Sequence, residues 1–99
     1  MVKHYIIWKL KEGLSDAEKE AAKAKAKTGL EALIGRIPGI CSMTVRTDLL
    51  PSSVGDMMLL SEFEDRDALK AYQVNPLHVE VASFIRSVVS ERACADFED

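Results

Sequence analysis

The stretch YQVNPLH places Tyr72 and His78 on either side of Asn75-Pro76. A phenol and an imidazole form a pair that can handle protons. Neutral imidazole accepts a proton or a hydrogen bond, and a phenol can donate to oxygen as negative charge develops on it. Only one other histidine is present, His4, between Val2 and Ile6. The chemistry such a trio suggests is proton handling around a pocket, with a neutral imidazole as base or hydrogen-bond acceptor. The same residues also fit a plainer role, because a Tyr on an amphipathic helix packs with its hydroxyl at the edge of the core.

Whether the three meet depends on the elements that carry them. Residues 2–10 alternate as a strand, with Val2, His4, Ile6, Trp8 and Leu10 on one face and Lys3, Tyr5, Ile7 and Lys9 on the other. A capping box at Ser15 and Glu18 opens a long helix, which Ala26, Leu30, Leu33, Ile34 and Ile37 continue to Pro38-Gly39. Residues 40–49 and 57–63 read as two strands joined by the turn-rich PSSVGD. Asp65 caps a short helix bearing Ala68, Leu69 and Tyr72. Asn75 then caps a second helix, with Pro76 at its first position, running to about Ser87. His78, Val81, Ala82 and Ile85 share a face of it. Val89, Ala93, Ala95 and Phe97 mark a last strand.

The string βαββαβ predicts an α+β, ferredoxin-like sandwich, a four-stranded antiparallel sheet with its helices on one face. Tyr72 and His78 then point toward the sheet, opposite His4. Tyr5 and Ile7 lie on the uncovered face, so a homodimer through this open sheet face is expected. His78, in the first turn of its helix, is expected to be neutral near pH 7.

Other chemistry finds less support. Two histidines without an inward carboxylate fall short of a zinc shell, so no metal is expected. Nothing supplies a haem ligand, a phosphate-cradling glycine loop or a nucleophile motif, so no cofactor is expected. Cys41 and Cys94 match no metal spacing and are expected to be free, buried thiols. The net charge of −3 and pI near 5.4 disfavour nucleic acid and an anionic membrane as partners. MVKHYIIWKLKEG is too short and lysine-interrupted for a signal peptide or span, which suggests a cytoplasmic protein.

Taken together, VKHYIIWKLKEGLS, RIPGI, DRDALKAYQVNPLHVEV and the terminal ADFE resemble the stress-responsive A/B barrel (Dabb) family. The resemblance runs over the whole chain, as one domain, 1–99. It implies a dimeric α+β barrel in which two ferredoxin-like protomers pair their sheets. One plant polyketide cyclase of the family uses a Tyr/His pair in a pocket between helices and sheet. Tyr72 and His78 match that pair in type and spacing, and so become candidate catalytic residues. His4 matches a further pocket histidine. Met57 stands where the cyclase has another, and Asn75 replaces the histidine before the proline. His4 and Met57 are thus candidate substrate-binding residues of a greasier pocket. Three functions follow as expectations: binding of a small hydrophobic or aromatic carbonyl compound, acid–base catalysis by His78 and Tyr72, or a purely structural stress-associated dimer.

Overall fold

The computed structural model describes residues 1–99. Strand β1 (Val2–Leu10) is followed by helix α1 (Asp16–Glu31), strands β2 (Ile40–Arg46) and β3 (Met57–Phe63), helices α2 (Arg66–Val74) and α3 (Pro76–Val88), and strand β4 (Val89–Glu98). The strands form one antiparallel sheet in the order β2-β3-β1-β4. This is the expected ferredoxin-like α+β architecture, with the second helical region divided in two.

The alternation of β1 sets the two faces of the sheet. Val2, His4, Ile6, Trp8 and Leu10 are buried beneath the helices, where Leu30, Leu33, Met43, Val45, Met57, Leu59, Phe63 and Tyr72 join the core. Lys3, Tyr5 and Ile7 are half-buried on the uncovered side. There Tyr5 pairs with Leu60 and Ala95, and Ile7 with Met58 and Ala93. The apolar positions of β4 therefore face outward, with Phe97 edge-on to Tyr5 at 5.5 Å between ring centroids.

Local sequence accounts for the helix boundaries. The Ser15 hydroxyl accepts from the Glu18 amide while the Glu18 carboxylate accepts from the Ser15 amide. Helix α1 ends at Glu31, short of the expected Pro38. Beyond Ala32 the chain tightens into turns in which Leu33 N–H donates to Leu30 and Arg36 N–H to Leu33. Gly35 then takes a left-handed φ of 80°. Leu33 and Ile37 still reach the core from these turns.

β2 is also shorter than the expected strand, and it forms one edge of the sheet. Its Val45 backbone is bound by α1: the N–H donates to Glu31 Oε2 at 2.9 Å, and the C=O accepts from Lys27 Nζ at 2.8 Å. Side chains of the helix thus satisfy groups that an edge strand otherwise leaves to water. At Gly29 the approach of α3 is close enough that a Cβ would lie 3.0 Å from Val81 Cγ1. The missing side chain lets α3 settle on α1.

Two capping residues organise the helices above the site. Asp65 Oδ1 accepts from Ala68 N–H at 2.8 Å, and Asn75 Oδ1 accepts from Leu77 N–H at 2.9 Å. Asn75 has extended backbone (φ −65°, ψ 130°), as a residue before proline prefers, and Pro76 occupies the first turn of α3. The thiols depart from expectation. Cys41 and Cys94 are free but exposed, because both lie on edge strands.

Phe63 is wholly buried and touches both site rings, 4.8 Å from Tyr72 and 6.2 Å from His4 between centroids. Phe63→Ala should lower stability by about 3–5 kcal/mol in urea unfolding at fixed protein concentration. A loss under about 1 kcal/mol would contradict this packing.

Candidate functional site

A cavity of about 460 Å³ opens between the helices and the β1–β4 side of the sheet. His4, Ile6 and Trp8 of β1, Leu30 of α1 and Leu59 of β3 form its floor and inner wall. Tyr72 of α2 and His78, Ala82 and Ile85 of α3 border it from the helices. Arg86 and the Ser90–Arg92 stretch border it too, and all four of these residues are exposed. The site is an apolar chamber with a few polar groups and a charged mouth, the usual chemistry of a small-molecule pocket.

The Asn75-Pro76 break brings Tyr72 and His78 together. Their rings lie 4.1 Å apart between centroids at 40°, and the Tyr72 ring meets His4 edge-on at 6.4 Å. Three of the four expected site residues therefore share one cavity. Met57 does not border it. It is wholly buried, paired with Trp8 on the side of β1 away from β4, and it packs the core.

Tyr72 has no exposed surface, and its hydroxyl has no protein hydrogen-bond partner. Burial pushes that hydroxyl far above the ordinary phenol range, so it stays protonated and acts as a donor. His78 is half-buried. Desolvation lowers its pKa below the ordinary 6.5; the Gln73 carbonyl opposes this, while His4 and Arg92 add to it. The neutral ring expected from the helix N-terminus is thus favoured chiefly by burial. His78 Nδ1 lies 3.3 Å from the Gln73 carbonyl oxygen, which can only accept. The proton belongs on Nδ1, which leaves the Nε2 lone pair free.

His4 is tied to a carboxylate. Its Nδ1 sits 2.5 Å from Asp96 Oδ1, in register across β1 and β4. Cys94 Sγ lies 3.4 Å from the same oxygen and 3.7 Å from His4 Nδ1. Burial and then the Asp96 carboxylate push the Cys94 thiol up, against the opposing effect of Arg92. Sequence reasoning missed Asp96, Cys94 and Arg92. The apolar stripe of β4 drew attention to its odd positions, but pairing with β1 turns the even positions toward the helices. Polar residues recurring with period two, Ser90, Arg92, Cys94, Asp96 and Glu98, were the available signal, and it needed the register to be read.

The family profile of the stress responsive A/B barrel domain (Dabb) matches residues 2–99. No match is found among curated proteins. Among solved structures, the chain is similar to a dimeric protein of unknown function and ferredoxin-like fold from Bacteroides fragilis. That likeness has 31% identity and a TM-score of 0.93, covering 99% of this chain and 95% of the other. The protein At3g17210 from Arabidopsis thaliana is 20% identical with a TM-score of 0.76, covering 100% of this chain and 95% of that one. SnoaB, a cofactor-independent oxygenase from Streptomyces nogalater, is 17% identical with a TM-score of 0.70, covering 99% of this chain and 91% of that one. These last two likenesses show the fold alone. No helix of the chain is long and apolar enough to cross a membrane. With a matching profile over nearly every residue and the four-stranded fold in place, the chain belongs to the stress responsive A/B barrel (Dabb) family.

Proposed function

We propose that the protein is a homodimer that binds a small hydrophobic or aromatic carbonyl compound in the cavity between helices and sheet. The observation that carries this reading is Tyr72, which borders the cavity and whose fully buried hydroxyl has no protein acceptor. Such a group costs about 1–3 kcal/mol when unsatisfied. A ligand carbonyl oxygen would take its hydrogen bond, while Ile6, Trp8, Leu30 and Ile85 surround the apolar body. His4 would add a polar contact. Arg86 and Arg92 suit a polar end at the mouth.

Dimerisation would proceed through the open sheet face. Tyr5, Ile7, Met58, Leu60 and Phe97 supply the apolar centre, and the Lys3–Glu62 and Lys3–Asp99 ion pairs lie at its edge. The Bacteroides fragilis relative is described as dimeric, which supports this arrangement.

One observation favours a second reading, acid–base catalysis. His78 is favoured neutral with Nε2 free, tilted against a phenol that stays protonated and so keeps a proton to donate. Nε2 would take a proton from the carbon next to the ligand carbonyl, and Tyr72 would hold the enolate oxygen.

Trp8 is the one tryptophan and borders the cavity, so its fluorescence reports occupancy. Acetophenone should change Trp8 emission saturably, and Tyr72→Phe should weaken binding by about 2- to 10-fold. The same substitution should leave the stability of the free protein unchanged or higher, since it removes an unpaired hydroxyl. Unchanged affinity together with a clear loss of stability would reverse the reading toward a purely structural tyrosine.

For the catalytic reading, the protein should speed exchange of the acetophenone methyl protons with deuterated water, followed by NMR, and His78→Ala should abolish it. No acceleration by the unaltered protein would remove the enzyme while leaving the binding module. The folded pKa of His78 lies below its unfolded value, so the unfolded chain binds its proton more readily. This residue's effect on stability should therefore be absent above pH 6.5 and become destabilising as pH falls from 6.5 toward the folded value. Exchange activity should correspondingly persist somewhat below pH 6.5 before it declines. Finally, Leu60→Lys on the open face should convert the dimer to monomer by light scattering, and a dimer that survives would place the interface elsewhere.

A further inference from the structure

The expected absence of a metal site rested on the lack of a carboxylate facing the histidines, and the β1–β4 register supplies one. His4 Nδ1, Cys94 Sγ and Asp96 Oδ1 all lie within 4.8 Å of one another. We propose that these three side chains form a site for a borderline-soft divalent cation of the zinc type, which shares only His4 with the cavity of Tyr72 and His78.

The donor set is the first argument. Imidazole nitrogen, thiolate sulfur and carboxylate oxygen are the three ligand types zinc prefers, and a thiolate disfavours magnesium and calcium. Geometry is the second. Metal–ligand bonds of about 2.0–2.3 Å at tetrahedral angles place ligand atoms roughly 3.3–3.6 Å apart. Cys94 Sγ meets that spacing closely, at 3.4 Å from Asp96 and 3.7 Å from His4. His4 and Asp96, at 2.5 Å, hold a hydrogen-bond separation instead. They must part by about 0.8 Å, which rotation of the Asp96 side chain allows, since it is 42% exposed.

Rigidity and access complete the case. Cys94 and Asp96 project from the same face of β4, directly across from Ile6 and His4 of β1. The His4 side chain is 3% exposed and its ring is held edge-on by Phe63 and Tyr72. The two β4 ligands are exposed, which gives an entry path. On binding, the Cys94 thiol proton leaves to solvent and the His4 ring proton takes Nε2. Two anionic ligands then balance the charge of the cation, and its remaining coordination position is open to water or a ligand oxygen.

Cobalt(II) titration of the full chain tests this, with a phosphine reductant keeping the thiols free. The expected result is a near-ultraviolet thiolate-to-cobalt absorption that saturates at one cobalt per chain. Zinc should abolish it at equal concentration, and magnesium in large excess should not. Cys94→Ser should remove the band, Asp96→Asn should weaken cobalt binding tenfold or more, and Cys41→Ser should leave it intact. All three positions are exposed, and circular dichroism checks that the variants fold. The absence of the band in the unaltered protein would overturn the proposal. So would its persistence in Cys94→Ser or its loss in Cys41→Ser.

Discussion

The pairing register of β4 on β1 is the constraint on which both faces of the sheet depend. His4 opposite Asp96, Ile6 opposite Cys94 and Trp8 opposite Arg92 put polar β4 side chains on the helix side. The same register puts Ala93, Ala95 and Phe97 outward beside Ile7, Tyr5 and Lys3. A slip of one residue would exchange the two sets, burying charge under the helices and exposing the apolar stripe on the wrong side. The irregularity between Lys9 and Leu10, where Leu10 pairs with Val89 and Lys9 with Glu91, lets the strand leave α3 and enter that register.

Above this floor, the Asn75-Pro76 junction decides what faces the cavity. A continuous helix through this segment would need the Pro76 N–H that does not exist, and it would force Asn75 out of the extended conformation. Breaking there gives two short helices, each capped by its own side chain, and their inner faces deliver Tyr72 and His78 to one place. Tyr72 belongs to the core by burial and to the cavity by position. Its unpaired hydroxyl is a local conflict that a well-packed interior rarely tolerates. A neighbouring imidazole, kept neutral chiefly by burial, stands beside it, so a donor and an acceptor lie side by side at the cavity.

Much of this arrangement was legible in the sequence. The even-odd pattern of β1 announced both the buried His4 and the open face, and the capping residues Ser15, Asp65 and Asn75 fixed where helices begin. The ends were harder to read. Leu33 and Ile37 look helical by spacing, yet they reach the core from tightened turns, since burial constrains their direction and not the backbone that carries them. Asp96 was illegible for another reason. Its role comes from a partner 92 positions away, and nothing local distinguishes it from an ordinary solvated carboxylate. Met57 looked like a pocket residue by its position in the resemblance. The sheet order pairs it with Trp8 on the β3 side, where it is buried in the core and does not border the cavity.

The central claim is that the chamber between Tyr72, His78 and β1 receives a small carbonyl compound. The most direct measurement is a set of intermolecular nuclear Overhauser contacts between bound acetophenone and isotope-labelled protein. The account expects contacts from the aromatic ring to the methyl groups of Ile6, Ala82 and Ile85, which all border the cavity. Contacts confined to the exposed methyl groups of Val74 and Val79 would contradict it, because both lie outside the chamber.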